Sequence, residues 1–397
     1  MSQAQITQPA TPAGRTPPPA ATAWAEMAEA MWTSIQTTYF LPDSGYYLER
    51  PHPDDGKVSE LWPILGLLSG ANARAIAGVS PNADPDFVAV WDLLARYYDD
   101  VVDPPGYDSY PVEFSGGDKY YDDNQWLGID GVYAYRHLGE QRFLDAAIVC
   151  WTLSLSGWSD EMGGGIYWKQ FDHSTKNTCS NAPAAVLGML LYEETGDQEY
   201  LGWAIRILDW NRQLKDPATG VYWDHITSDG TIDEAKYAYN AGTPIHANAL
   251  LFRATGDGTY LTEARTVARA AFDWFAPASS ATAETDGVRV FPSNNAWFNS
   301  ILFRGFVALA EVDPEHDLTY VRAMLDFTQL GWNRARDADG LLNPDWSGRQ
   351  PAPNQPWLLD QAPILEIAST AIRLGLQGAG ADRTGSEGGP ADPTTRA

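Results

Sequence analysis

Asp122 and Asp123 stand side by side in the stretch KYYDDNQW, residues 119–126, among tyrosine and tryptophan rings and directly before the amide of Asn124. Two carboxyls a few ångströms apart do not both ionise readily, so one keeps its proton towards neutral pH while the other stays an anion. A proton donor beside a carboxylate is the pair that glycoside hydrolysis needs. A separation of about 5–5.5 Å supports retention through a covalent glycosyl-enzyme, and about 6.5–9.5 Å supports inversion. Adjacent residues at a helix start reach the shorter spacing more easily, and the positive end of the helix dipole favours the anion. Retention is therefore expected. Adjacent aspartates also serve as plain helix caps, and the chain has further pairs at Asp54–Asp55 and Asp99–Asp100. Position must decide between the roles.

Other chemistries find less support. Cys150 and Cys179 show no C-x-x-C spacing and are expected as free thiols. The histidines at 52, 137, 173, 225, 246 and 316 are scattered without ligand spacing, so no metal and no cofactor are expected. A formal charge of -26 repels nucleic-acid backbones and anionic membranes, and no apolar run is long enough to span a bilayer. The expected partner is a neutral oligosaccharide or polysaccharide, met by a monomer. With 16 Trp and 19 Tyr, the chain has many flat rings with polar handles, suited to a packed core or to sugar faces.

The elements that position the pair come from a repeat. LGEQRFLDAA, TGDQEYLGWA and TGDGTYLTEA each place an aromatic residue four positions after a glycine, at Phe143, Tyr200 and Tyr260. Fainter echoes at Phe87 and Tyr320 give spacings of 56, 57, 60 and 60 residues. Each aromatic opens an amphipathic helix, and each glycine closes a helix that is apolar or small nearly all round. Outer helices are expected near 24–37, 86–100, 140–155, 198–214, 259–275 and 318–331. Inner helices are expected near 59–77, 123–138, 178–195, 239–254, 297–311 and 358–375. Six pairs can close into an all-α (α/α)6 barrel, and no polar capping repeats mark the ends of an open solenoid. The barrel is expected over residues 22–376 as a single catalytic domain, with 1–21 and 377–397 as disordered arm and tail.

Inner-to-outer turns are short, whereas each outer-to-inner connection runs to about twenty residues and is rich in aromatics. Several of these loops read as short hairpins. All of them meet the N-termini of the inner helices, which places a pocket at that end. Asp122–Asp123 opens an inner helix there, flanked by Tyr120, Tyr121 and Trp126. By contrast, Asp99–Asp100 is expected to end an outer helix and Asp54–Asp55 to lie in a polar loop.

At these residues the chain resembles glycoside hydrolase family 76, the endo-α-1,6-mannanases. The carriers are Tyr121-Asp122-Asp123-Asn124-Gln125-Trp126, GGGIYWK from Gly163, KNTCSNAPAAVLGMLLYEETGD from Lys176, YNAGTPIHANALLFRATGD from Tyr239 and LLDQAPILEIA from Leu358. The likeness spans nearly everything between the two tails. It departs from the family pattern at GTPI after Ala241 and at CSNAP from Cys179. The resemblance implies that Asp122 is the nucleophile and Asp123 the general acid/base of a retaining hydrolase acting on α-1,6-linked mannan or manno-oligosaccharides. It also implies substrate contacts from Asn124, Trp126, Trp168, Asn177, Asn181, Tyr239 and Asn240.

Several loop residues carry two readings. Trp168 and Trp223 occupy matching Tyr-Trp pairs that either stack on sugars or seal loop to barrel. Lys169 and Asp224 either bond hydroxyls or pair on the rim, and Asn177 either binds sugar or caps its helix. Glu60 and Asp360, near inner-helix starts, are ordinary helix stabilisers that also fall at the pocket end. Two other functions compete: a non-catalytic glycan-binding protein, and another (α/α)6 sugar enzyme such as an epimerase or unsaturated-uronide hydrolase. The latter two call for pocket histidines or a basic patch. The first 21 residues lack the charged and apolar regions of a signal peptide, which reads as cytoplasmic, or as secreted if a leader is missing from the sequence.

Overall fold

The computed structural model describes residues 19–53, 56–351, 353 and 355–376. Among them, six outer helices alternate with six inner ones. The outer set is α1 (Pro19–Tyr39), α3 (Ala83–Leu93), α5 (Gln141–Ser156), α7 (Gln198–Asn211), α9 (Gly258–Phe275) and α11 (Thr319–Arg334). The inner set is α2 (Leu61–Ile76), α4 (Tyr121–Leu138), α6 (Thr178–Thr195), α8 (Ala238–Thr255), α10 (Ala296–Val312) and α12 (Leu358–Arg373).

Side-chain pattern sets each helix in its layer. α9 buries Ala264, Val267, Ala268, Ala271, Phe272 and Phe275, a stripe at three- and four-residue steps, and turns its charges outward. α6 is buried on nearly every side from Thr178 to Leu191. Each fully buried Val, Leu or Phe contributes about 1.5–3 kcal/mol, so an all-apolar helix is stable only with neighbours on both flanks. Such neighbours exist all round: α2, α4, α6, α8, α10 and α12 pack in succession, and α12 returns to α2. The result is a closed (α/α)6 barrel. At one seam Gly242 of α8 meets Gly305 of α10 so closely that a Cβ on Gly305 would lie 2.4 Å from the Gly242 carbonyl oxygen.

The repeated turn has a simple basis. Gly139, Gly196 and Gly256 end α4, α6 and α8 with φ of 75°, 72° and 71°, a left-handed conformation that glycine adopts without strain. Asp197 and Asp257 then accept hydrogen bonds from the amides of Glu199 and Thr259, capping the next outer helix.

The long connections 40–60, 94–120, 157–177, 212–237, 276–295 and 335–357 gather at the other end, as the spacing implies. β1 (Phe40–Leu41) pairs with β2 (Tyr46–Tyr47), and β3 (Tyr98–Asp99) with β4 (Gly106–Tyr107), each as a hairpin within one loop. A further pairing joins two loops: β5 (Thr175–Asn177) lies antiparallel to β6 (His225–Thr227), which pairs with β7 (Ile232–Asp233).

Three expectations change. α3 stops at Leu93 rather than near 100, because the chain tightens into a 3-10 turn at Leu94–Arg96 and then enters β3. Asp99 thus lies in a strand, where its carboxylate takes Lys119 Nζ at 2.6 Å. α1 begins at Pro19, inside the stretch expected as an arm. The rest of that arm, the tail from 377 and the Asp54–Asp55 pair lie outside the described residues.

Candidate active site

Asp122 and Asp123 occupy the first turn of α4, where the loops converge. Asp123 is 8% exposed, and burial, the charge of Asp122 and then that of Glu60 push its carboxyl well above the usual range. Asp122 is pushed up to about 6, chiefly by burial, while the Cys179 thiol and the Trp168 indole face it and favour its anion. Its Oδ1 is sealed from solvent without a hydrogen-bond partner in the protein. The two neighbours therefore differ: Asp123 is the better proton holder and Asp122 the better anion. Burial is what raises both, and mutual repulsion adds most to Asp123.

Around the pair the loops bring rings and further acids. Trp168, 36% exposed, stands edge-on to Tyr120 with centroids 5.1 Å apart. Tyr239 lies close enough to Cys179, Asp224 and Asp122 that their charges act on its hydroxyl after burial, the main cause of its raised pKa. Its ring tilts against Phe298 at 4.2 Å. Asp360, in the first turn of α12, is buried and pushed up to about 7 by that burial, although the Arg50 charge and the Ala296 amide pull the other way. Glu60 precedes α2, and burial followed by repulsion from Glu49 raises its carboxyl.

The expected amide contacts divide. Asn177 sits at the N-cap position of α6 but makes no side-chain cap, and its buried Oδ1 has no protein partner. Asn240 donates to Asp224 Oδ1 at 3.1 Å and likewise leaves its own Oδ1 unpartnered. Each oxygen is thus a buried acceptor left without a protein donor. Asn124 and Asn181 differ. Asn124 accepts from the Tyr107 amide at 2.8 Å and donates to the carbonyls of Tyr107 and Tyr120 at 2.9 Å. Asn181 does the same with the Ile166 amide and the Ile166 and Asn177 carbonyls. These side chains fasten loops to inner helices, with both N–H donors of each spent on backbone carbonyls. Gln361 of α12 repeats the arrangement on Leu342 and Trp357. Trp126 is 4% exposed and packs edge-on to Trp297, with ring centroids 5.8 Å apart.

Rim residues fall mostly to their plainer readings. Lys169 approaches Asp172 at 3.8 Å, and Asp224 binds His225 Nδ1 at 2.8 Å. Trp223 is part-buried and its indole nitrogen finds no partner in the protein.

Two residues that hold the site escape a sequence reading. Lys176 is fully buried, and its Nζ donates to carbonyls of Ser159, Glu161 and Gly164 at 2.7–2.9 Å. Burial pulls its pKa down to about 8. The loop it grips turns at Gly164 and Gly165, with φ of 118° and 89°, and a Cβ on Gly165 would lie 2.4 Å from the Trp210 ring. Cys179 is the second; its thiol faces the carboxyl of Asp122 from the next inner helix. The only signals were GGG and KNTC as strings, with no periodicity to connect them.

Comparison with known proteins agrees with this geometry. The model of Glycosyl hydrolase family 76 matches residues 97–373, more than half of the chain. A mannan endo-1,6-alpha-mannosidase of Candida glabrata is 26% identical over 174 residues, 41% of this chain and 39% of that protein. The Saccharomyces cerevisiae enzyme of the same name is 24% identical over the same shares. The match thus spans well under half the length of these curated relatives. Among solved structures, a family 76 mannosidase from Bacteroides thetaiotaomicron superposes with a TM-score of 0.81 and 26% identity, covering 89% of this chain and 98% of that one. An α-1,6-mannanase from a Salegentibacter species gives 0.73 and 25%, covering 88% and 99%. This chain belongs to glycosyl hydrolase family 76.

Proposed function

We propose that the protein is a retaining glycoside hydrolase that cleaves α-mannosidic bonds, with α-1,6-linked mannan or manno-oligosaccharides as substrate, acting as a monomer. The observation that carries this reading is the adjacent carboxyl pair, Asp122 and buried Asp123, in the first turn of α4 where the loops converge. Asp123 donates its proton to the departing glycosidic oxygen while the Asp122 carboxylate attacks the anomeric carbon from the opposite face. The ionised Asp123 then takes a proton from water, which displaces Asp122 and returns the original configuration. Trp168 offers a half-open ring for a sugar face, and Asn177 and Asn240 offer unpaired acceptors for hydroxyls.

Support also comes from a relative: an inactive variant of the Salegentibacter α-1,6-mannanase, with two consecutive aspartates changed to asparagine, was solved with α-1,6-mannotriose and is 25% identical to this chain. The test is a reducing-end assay on α-1,6-mannotetraose. The wild type should release new ends, and Asp122→Asn and Asp123→Asn should each lower kcat by about 10²–10⁴-fold or more with unchanged circular dichroism. Full activity in either variant removes the assignment. Binding of the tetraose by the wild type without cleavage would make it a glycan-binding protein.

A further inference from the structure

Two lysines, Lys119 and Lys176, are buried in the loops that meet at the start of α4, and they are held in different ways. Lys119 has acids for partners, with Nζ 2.6 Å from Asp99 and 3.7 Å from Asp108. No carboxylate bonds Lys176 among the described residues. Its Nζ donates to the carbonyls of Ser159, Glu161 and Gly164 at 2.9, 2.7 and 2.7 Å, with Ser159 Oγ also at 2.9 Å. The Tyr167 ring lies beside it, its centroid 4.5 Å from Nζ. An ammonium has three N–H and no lone pair, so it alone among side chains of this length meets three carbonyls at one point. Burying that charge without a counter-ion is costly. What it secures is the place of a turn that runs into three successive glycines, Gly163 to Gly165, where the backbone is least restrained by its own side chains.

The chain beyond those glycines leads straight to the acid pair. Asn181 holds Ile166, and Trp168 follows two residues later. The Trp168 N–H donates to the Thr175 carbonyl at 3.2 Å, next to Lys176, and the Trp168 carbonyl accepts the Tyr121 N–H at 3.0 Å. Tyr121 is the first residue of α4, so this bond satisfies one of the amides that a helix leaves open at its N-terminus. Tyr120 bridges Lys169 beside it. The segment is thus bonded through its backbone to the turn that carries Asp122, and the Trp168 indole faces the Asp122 carboxyl. Lys176 is itself fixed from behind, since β5 pairs Lys176 with Ile226 of β6.

We propose that Lys176 is a positioning residue for Asp122: its ammonium pins the 159–164 turn so that Trp168 closes on the start of α4 with its indole against the Asp122 carboxyl. Lys176 acts through Trp168 and not on the sugar. Where activity is measured, this role rests on the hydrolase reading above. Asp122 is also faced by Asp123 on its own helix, by Cys179 of α6 and by Tyr239 of α8. Glu161 and Asp160 are the acids whose charge reaches Lys176. Loss of the ammonium should therefore alter the Trp168 side of Asp122 alone, which makes Trp168→Phe the background that isolates it.

Lys176→Met keeps the stem and removes every donor. Amide exchange at Tyr121 should quicken about tenfold or more while α9 keeps its protection. Asp122 ionisation is read twice, from the acid limb of kcat/KM on α-1,6-mannotetraose and from the carboxyl 13C titration of Asp-labelled protein, assigned by the signal missing in Asp122→Asn. Both should move up by about half a pH unit or more, because the anion loses the indole. In a Trp168→Phe background Lys176→Met should move them no further. An unmoved Asp122 titration in folded Lys176→Met overturns the proposal even if exchange quickens, since that marks a plain loop fastener. A shift that persists undiminished with Trp168→Phe overturns it too. If Lys176→Met does not fold, Lys176→Gln, which offers two donors in place of three, is read in the same way. Absence of cleavage by the wild type would remove the hydrolase reading alone, and the 13C titration, which needs no turnover, then decides on Lys176.

Discussion

At the residue scale, the pair gains its asymmetry from what surrounds each carboxyl. Cys179 and Trp168 face Asp122, while Asp123 meets only burial and the negative charges of Asp122 and Glu60. The proposed mechanism uses Asp122 ionised and Asp123 protonated. Activity should therefore rise with pH through about 6, the value for Asp122, and fall again as pH passes the higher value of Asp123. The two limbs of the kcat/KM profile belong to the coupled pair. Cys179→Ala removes a group that favours the Asp122 anion, so the acid limb should move to higher pH; an unmoved limb would show that the thiol plays no part. The pair itself was legible because adjacent acids among rings at an expected helix start form a local pattern. The contact of Cys179 with Asp122 was not, because it arises between neighbouring inner helices that no spacing in the chain relates.

At the scale of elements, the inner helices hold their loops through amides in their first turn. Asn124, Asn181 and Gln361 each take both the N–H and the C=O of one loop residue together with the carbonyl of the residue just before their own helix. Asn181→Ala would leave the buried Ile166 amide unmet, at about 1–3 kcal/mol, and its carbonyl with the Ser180 hydroxyl alone. Chemical denaturation should report that loss, and hydrogen exchange should quicken at 164–168 while α9 keeps its protection. Lost sugar binding with unchanged stability and exchange would instead restore Asn181 as a ligand contact. Residue type could not separate the roles, since an asparagine at the pocket end looks the same whether it grips backbone or sugar. The helices themselves were legible through glycine turns and apolar period, whereas the end of α3 was set by its strand pairing in the following loop.

At the scale of the whole molecule, the six-fold period fixes a closed ring, and closure is what brings loops far apart in sequence around one pair of acids. The ring was readable because each helix pair repeats the same apolar pattern. The β5–β6 pairing was not, because it joins two loops that only the ring makes neighbours. Closure is tightest where Gly242 meets Gly305, so Gly242→Ala should destabilise the fold by about 1–3 kcal/mol through overpacking, read as a lower midpoint in urea. An unchanged midpoint would mean that the α8–α10 seam relaxes freely. The central claim joins the barrel to its acids: the pair at 122–123 cleaves an α-1,6-mannosidic bond with retention. Proton NMR of the first product from α-1,6-mannotetraose, recorded before mutarotation, tests it most directly. The account predicts that the new reducing end appears first as the α anomer, and an initial β anomer or no new reducing end would contradict it.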